Sequence, residues 1–309
     1  MAELGGRAGG GHERVGYVLA FFAIYVVWGT TFLAIRMAVA EWPPLLAAGV
    51  RFFVAGALLF GWSRLRHVAA PTGRQWRNLG LIALPMFAVD YGILFSAERV
   101  VPSGVASVLL ATLPLMTIAL EMVVLRQLRF RWGLLMAVMT GFGGTAVLLW
   151  PGAGERLPVG PSLAILVGAM GWAVGSVLNK RLELPGSKVV TSGGTMLLGG
   201  GMLLLLSAGT GELRTWPAMT WRGVAAEGYL IVFGSVVGFS AFVWLLERLP
   251  ATVVSSHAYV NPVVAVAVGY LLAGERVTLR MAVGVAIVVL SVVLVLGRPA
   301  ETTAARAEG

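Results

Sequence analysis

Long apolar runs separated by short polar connections dominate the chain from about residue 15 to residue 297. A transmembrane α-helix needs about 20 mostly apolar residues, and the runs have this length. The first run lacks a small-residue cleavage site followed by polar sequence, so we expect it to be retained as a membrane span. The pattern predicts ten spans, at 15–39, 43–63, 77–97, 101–125, 130–150, 158–180, 188–208, 222–246, 250–272 and 276–297.

The composition agrees with a membrane protein and excludes several kinds of site. Only 12% of the residues are charged and 58% are hydrophobic, whereas a soluble domain carries about 25% charged residues. The chain has no cysteine and three histidines, which excludes disulfides and thiolate sites and makes a metal centre unexpected. The net charge of +9 lies in short loops and forms no contiguous basic face, so we expect neither nucleic acid binding nor a cofactor.

The basic residues also predict an orientation. With the N-terminus in the cytoplasm, fifteen Lys and Arg residues fall in cytoplasmic segments and seven on the opposite side. Cytoplasmic loops of membrane proteins carry an excess of these residues. We therefore expect a multi-pass protein of a bacterial inner membrane with both termini in the cytoplasm, surrounded by lipid.

The two halves of the chain repeat one another. Pro102 and Pro114 are twelve residues apart, as are Pro250 and Pro262. In the same order, matching residues occur at Glu98-Arg99 and Glu247-Arg248, at Ser107 and Ser255, and at Trp28 and Trp172. The ordered set indicates duplication of a unit of five helices.

Because five is odd, the second copy enters the membrane from the opposite side. The predicted fold is an all-α membrane protein whose ten transmembrane helices form a 5+5 inverted-topology repeat. The predicted parts are a tail at 1–14, a first repeat at 15–150, a second repeat at 151–297 and a tail at 298–309. This architecture is typical of secondary transporters with a site between the repeats, although a duplicated scaffold without transport is the alternative.

Four strings carry a family resemblance: WGTTFLAIR, WPPLLAAGVRFFVAGALLF, VPSGVASVLLATLPL and HAYVNPVVAVAVGYLLAGERV. They resemble the EamA family of the drug/metabolite transporter superfamily, over about residues 17 to 297. The resemblance implies ten helices, cytoplasmic termini and alternating access around a central cavity. It extends to YedA-like inner-membrane transporters and to YddG-like exporters, and the latter imply export of aromatic and other amino acids.

Asp90 is the first candidate site residue, because it lies midway along the third predicted span. A charge at this depth is costly and normally has a function. Asp90 could bind a substrate ammonium or titrate as a coupling acid, or it could be a structural acid between helices. Small multidrug relatives carry a glutamate in their first helix, but this sequence has no acid between Val15 and Ala40, which puts a simple carboxylate-centred antiport in doubt.

His257 and Asn261 form a second candidate pair, because residues four apart share one face of a helix. They could line a cavity or make an interhelical hydrogen bond. Pro262 and Pro114 are the candidates for helix bending or gating, since a proline removes one helical hydrogen bond.

The other candidate side chains are aromatic, hydroxyl-bearing or charged. Aromatic walls suit apolar substrates and organic cations. Arg51, inside the second span, is expected to pair across helices as a structural charge or to extend its stem toward the interface. The residues predicted to bind substrate are Trp28, Thr31, Asp90, Tyr91, Trp172, Ser176, His257 and Asn261.

The function predicted from these residues is export of a small-molecule metabolite, with amino acids as the first candidate. Other metabolites, organic cations or drugs are the alternative. A membrane-embedded enzyme would want clustered carboxylates or histidines near an interface, and a channel would want charge rings or a carbonyl filter; the sequence shows neither. We expect a monomer, because one chain contains both halves.

Overall fold

The computed structural model describes residues 11–120, 158–214, 220–274 and 277–296, with a few positions between 136 and 147. Every regular element in these ranges is a helix. Most of the predicted span 130–150, most of the tail 1–14 and the whole tail 298–309 lie outside the described residues.

The first half begins with a helical run that is continuous from the first element to Val39. It comprises α1 (Gly11–Phe22), a π-helical segment (Ala23–Val27) and α2 (Trp28–Val39). The helices that follow are α3 (Pro44–Leu65), α4 (Gly73–Ala83), α5 (Gly92–Ala97), α6 (Ser103–Leu110) and α7 (Leu113–Leu120), with a second π segment (Leu84–Tyr91) joining α4 to α5.

The second half has a matching sequence of elements. Its helices are α8 (Val159–Arg181), α9 (Lys188–Gly209), α10 (Trp221–Tyr229), α11 (Gly238–Leu246), α12 (Ala251–Val254), α13 (His257–Ala273) and α14 (Leu279–Leu296). A third π segment (Leu230–Val237) joins α10 to α11, and a short 3₁₀ turn (Glu212–Arg214) follows α9.

Seven continuous helical stretches of the described residues are long and apolar enough to cross a membrane. They are Glu13–Val39, Pro44–Leu65, Gly73–Ala97, Ser103–Leu120, Val159–Arg181, Lys188–Gly209 and Trp221–Arg248. Each coincides with a predicted span, and helices also occupy the predicted spans 250–272 and 276–297.

Local sequence explains where several of these helices begin and end. Thr72 accepts a hydrogen bond from the Gln75 backbone N–H and completes a capping box at the start of α4. Thr220 caps α10 in the same way, accepting from the Gly223 N–H at 3.2 Å. Gly274 ends α13 with φ of 64°, a left-handed conformation that favours glycine.

Two membrane stretches are interrupted, nine residues after Pro102 in the first half and five residues after Pro250 in the second. The fourth breaks at Ala111 and Thr112, between α6 and α7, and the later one breaks at Ser255 and Ser256, between α12 and α13. Interrupted helices near the centre of a membrane protein expose backbone groups where a binding site can use them.

Helices α3 and α9 run antiparallel and touch backbone to backbone. A Cβ on Gly56 would lie 2.3 Å from the Leu197 nitrogen, and one on Gly200 would lie 2.2 Å from the Phe53 nitrogen. Gly49 faces Leu204, and Gly193 faces Phe60. Small residues permit such close approach in membranes.

The crossing of α3 and α9 is two-fold symmetric. Residues 49, 53, 56 and 60 of α3 correspond to residues 193, 197, 200 and 204 of α9. The contact of Gly49 with Leu204 is therefore repeated, with roles exchanged, by the contact of Gly193 with Phe60. Such exchange of partners is the mark of an isologous interface.

Candidate functional site

A central cavity lies among helices of both halves. The volume of this cavity is about 50 Å³. Its walls are mostly apolar, with a few polar groups. The lining residues are Trp28, Thr31, Phe32, Ile35, Asp90, Tyr91, Leu94, Ser107, Leu110, Leu113, Trp172, His257, Ala258 and Asn261.

Seven of the eight residues predicted to bind substrate line this cavity. The structure therefore brings together side chains that lie up to 233 positions apart in the chain, from Trp28 to Asn261. Ser176 is not among the lining residues. Its hydroxyl is buried and donates to the Trp172 carbonyl at 2.9 Å, one turn back in α8.

Asp90 lies near the end of the second π segment and is 4% exposed. Its Oδ1 atom has no hydrogen-bond partner within the described residues. Gly168 of α8 makes room for this carboxyl group, since a Cβ there would lie 2.8 Å from Oδ1. A buried carboxyl oxygen without a partner is a costly arrangement and needs a ligand or a role.

Trp28 and Trp172 meet edge to face, with ring centroids 5.5 Å apart and an interplanar angle of 84°. The Trp28 Nε1–H donates to the Gly234 carbonyl at 2.8 Å. The Trp172 Nε1 is buried and has no partner among the described residues. Tyr91 completes the aromatic wall, with its ring centroid 5.8 Å from that of Trp172.

His257 and Asn261 lie on one face of α13, as predicted, and their side chains are 3.2 Å apart. When the amide nitrogen of Asn261 is turned toward the carbonyls of Tyr25 and Ile24, at 2.8 and 3.0 Å, its oxygen accepts from the His257 Nδ1–H. Asn261 thereby ties α13 to the first membrane stretch. The His257 Nε2 has no partner in the described structure and, in this tautomer, is an acceptor.

The hydroxyl groups of the cavity wall are already engaged. Thr31 donates to the Trp28 carbonyl at 2.6 Å, and Ser107 donates to the Gly104 carbonyl at 2.7 Å. Each hydroxyl oxygen still has lone pairs for a ligand donor. Among the described lining residues, the Trp172 indole N–H is thus the donor without an acceptor. Asp90 Oδ1 and His257 Nε2 are the acceptors without a donor.

Arg51 is fully buried and does not reach the interface. Its Nε donates to Ser235 Oγ at 2.8 Å, across the boundary between the halves. The guanidinium lies over three aromatic rings, with its Cζ 4.6, 5.2 and 5.9 Å from the ring centroids of Phe52, Tyr91 and Phe95. Arg51 thus packs directly behind the Tyr91 wall of the cavity, outside the lining itself.

The two bending candidates differ in their surroundings. The break in the fourth membrane stretch ends immediately before Leu113 and Pro114. Pro262 lies inside α13, whose helix continues through it, and the nearest break comes at Ser255 and Ser256. A gating role for either proline stays a prediction.

Sequence reasoning overlooked two buried acids. The sequence pattern places Asp90 well inside the membrane. The structure also buries Glu227, which is 3% exposed, and Glu98, which is 1% exposed. Glu227 lies inside the predicted span 222–246, three positions before the apolar run LIVFGSVVGF, and that position was the available signal. Among the described residues, no group of three or more His, Cys, Asp or Glu side chains is placed to hold a metal ion.

The comparisons with known proteins agree on a family. The EamA-like transporter family matches residues 15–150 and 160–297. The "Uncharacterized inner membrane transporter YedA" of Escherichia coli (strain K12) is 37% identical over 279 residues, covering 89% of each chain. "Protein PecM" of Dickeya dadantii (strain 3937) is 29% identical over 284 residues, covering 89% of this chain and 91% of its own.

A solved structure also matches the fold. A crystal structure of a protein that is 20% identical to this chain aligns with a TM-score of 0.66, covering 91% of this chain and 96% of the other. At this identity the likeness establishes a shared architecture, and it says nothing about what is transported.

Proposed function

The chain belongs to the EamA-like transporter family and is a multi-pass inner-membrane transporter, and from this premise we propose that it exports amino acids with apolar or aromatic side chains. The substrate would bind in the central cavity, which opens to each side of the membrane in turn. The protein would act as a monomer embedded in lipid, without a cofactor and without catalysis.

The observation that carries this proposal is the set of unpaired polar atoms in one apolar cavity. Within the described residues, Asp90 Oδ1 and His257 Nε2 are available to accept hydrogen bonds, and Trp172 Nε1–H is available to donate one. A zwitterion supplies the complement, because its ammonium donates and its carboxylate accepts. The surrounding aromatic and aliphatic side chains suit an apolar side chain on that zwitterion.

The architecture supports alternating access through a 5+5 inverted repeat. Because α3 and α9 are antiparallel, an even number of membrane crossings must separate them. Three crossings are described between them, at Gly73–Ala97, Ser103–Leu120 and Val159–Arg181. The parity therefore requires a further crossing between the described stretches, and the span predicted from the sequence at 130–150 is the candidate for it.

The same parity, combined with the excess of basic residues, supports cytoplasmic termini. The first repeat would then comprise residues 15–150 and the second residues 151–297, each entering the membrane from an opposite side. The cavity would lie where the repeats meet, near the middle of the bilayer.

The cavity in this conformation is too small for a bound amino acid. Ligand pockets have volumes of about 300–1,000 Å³, whereas about 50 Å³ is open here. Transport would therefore include a movement of the halves that widens the cavity toward one side and then the other. The substrate gradient or a proton gradient could drive it.

The test is a counterflow screen with the purified protein in liposomes. Labelled phenylalanine is offered outside against unlabelled amino acids, polyamines or organic cations inside. We expect saturable exchange with amino acids that have apolar side chains. Failure of every amino acid would overturn the substrate assignment, and non-saturable flux without counterflow would indicate a channel.

A second candidate substrate is an organic cation without a carboxylate. Trp28, Tyr91 and Trp172 present aromatic rings beside the Asp90 carboxyl group, and such rings attract cations. Counterflow with labelled phenethylamine in place of labelled phenylalanine separates the two, because a cation site would exchange phenethylamine and leave phenylalanine untransported.

A further inference from the structure

Glu227 lies outside the cavity and is a second buried acid of the described membrane stretches. It is in α10, close to the start of the Trp221–Arg248 membrane stretch, and is 3% exposed. Among the described residues, neither carboxyl oxygen accepts a side-chain hydrogen bond, and the backbone of Arg51 is the hydrogen-bonding group that acts on the carboxyl group. An ionised carboxylate has about four acceptor positions, so burial beside this one backbone group is several kcal/mol unfavourable for the charged form.

The nearest cation comes from the other half of the protein. Arg51 on α3 attracts Glu227 electrostatically, but no ion pair joins them within 4.0 Å among the described residues. Arg51 is held instead by Ser235, eight residues beyond Glu227 in the same membrane stretch. Its guanidinium also interacts with the Tyr91 side chain.

Arg51 also links this acid to the cavity. Its guanidinium lies 5.2 Å from the ring centroid of Tyr91, a lining residue next to Asp90. Thr31, another lining residue, and the guanidinium both border Gly234, where a Cβ would lie 3.0 Å from Thr31 Cγ2 and 2.7 Å from Arg51 Nη2. Arg51 therefore contacts the cavity wall and also acts on Glu227.

Other charged groups surround the pair. Titratable and charged groups lie on α10, on the elements that pack against it and beside Arg51. They are Arg36, Glu41, Arg51, Arg64, Asp90, Tyr91, Glu98, Arg222 and Tyr229. Glu98 acts on Arg51 as a second acid. A proton on Glu227 neutralises its buried carboxylate.

Building on the proposed transport function, we infer that Glu227 is a proton-binding site that couples transport to a proton gradient and is separate from the substrate carboxyl contact at Asp90. The proton is bound while the halves enclose Glu227. It leaves when their separation admits water or lets Arg51 approach the carboxylate. No bond other than the carboxyl O–H forms or breaks.

The first experiment measures transport of tritiated phenylalanine by the full chain in sodium-free liposomes. We expect Glu227→Gln to retain counterflow and to lose accumulation driven by a pH gradient. Glu98→Gln is the matched control, a buried acid beside the same arginine, and we expect it to retain both. Accumulation by Glu227→Gln equal to that of the unmodified protein would overturn the inference. It would also be overturned if the unmodified protein showed counterflow but no accumulation driven by the pH gradient, or if its accumulation required sodium.

The second experiment needs no substrate. The infrared difference spectrum between acidic and neutral pH contains the C=O stretch of protonated carboxyl groups, and we expect one component to disappear in Glu227→Gln and to remain in Glu98→Gln. If Glu227→Gln does not fold, Glu227→Asp keeps the acid and should shift that component. An unshifted spectrum in the folded variant contradicts the inference. Lack of phenylalanine counterflow in the unmodified protein, by contrast, would count against the proposed function alone.

Discussion

Trp28 and Trp172 occupy matching places in the two halves and touch edge to face, yet within the described structure only Trp28 has its indole N–H hydrogen bonded. Its acceptor is the Gly234 carbonyl in the π segment of the second half. Trp172 stands beside the corresponding π segment of the first half, with its N–H free. The two matching indoles therefore differ in hydrogen bonding, as the proposed alternation of inverted repeats would require.

This asymmetry predicts opposite effects of two substitutions. Trp28→Phe removes a hydrogen bond that stabilises the present state, whereas Trp172→Phe removes one that would form in the alternate state. One such bond contributes about 1 kcal/mol, which shifts a two-state equilibrium roughly fivefold. We expect Trp28→Phe and Trp172→Phe to change the accessibility of the cavity from outside the cell in opposite directions.

The measurement uses the absence of native cysteine. Ser107→Cys places a single thiol in the cavity wall, and its labelling by an impermeant maleimide is timed in intact cells. Trp221→Phe is the control, because that side chain is 81% exposed, and it should leave the rate unchanged. Changes in the same direction for both cavity tryptophans would rule out the exchange of roles.

Asp90→Asn should weaken substrate binding. A hydrogen bond to a charged group contributes about 1.5–3 kcal/mol, so we expect the KM for phenylalanine exchange to rise roughly tenfold to a hundredfold. Glu98→Gln removes a buried acid outside the cavity lining and should leave KM close to the original value. Transport by Asp90→Asn in everted vesicles should stay pH-dependent; loss of that dependence would make Asp90 the coupling acid instead of Glu227.

The contact of α3 with α9 predicts a strong dependence on glycine. Gly56→Ala or Gly200→Ala would push a methyl group into the opposing backbone, and overpacking of this kind costs about 1–3 kcal/mol. We expect a lower thermal midpoint in detergent for each variant. Gly201→Ala, with no atom within 4 Å of its Cβ, is the neighbouring control and should keep or slightly raise the midpoint.

The proposed topology predicts the sidedness of three exposed glycines with open space around them, Gly73, Gly160 and Gly186. A cysteine at 160 should react with an impermeant maleimide in intact cells. Cysteines at 73 and 186 should react only after the membrane is permeabilised. Reaction of 73 and 160 from the same side would contradict the inverted arrangement of the halves.

Much of the helical organisation followed from the sequence, because apolar runs of membrane length have few other structural solutions. The matching places of Trp28 and Trp172 followed from the repeat spacing. The shared face of His257 and Asn261 followed from helical periodicity. These features depend on positions along the chain, which a sequence states directly.

Features that depend on helix rotation did not follow. In an apolar helix the residue pattern does not reveal which face meets protein and which meets lipid, so the burial of Glu227 was overlooked. Ser176 looked like a cavity hydroxyl, but its oxygen bonds to its own helix. No residue type in the sequence predicts the π segments. One of them, Leu84–Tyr91, directs Asp90 toward α8.

The glycine contacts of α3 and α9 have a consequence for how the halves can move. Each backbone fits between side chains of the other at two levels seven residues apart, so sliding one helix along the other would drive Leu197 and Phe53 into opposing main chain. Tilting about the crossing point avoids that collision. For the proposed transport cycle, the interlock therefore argues against an elevator, in which one half moves the substrate along the membrane normal, and favours rocking of the halves about this helix pair.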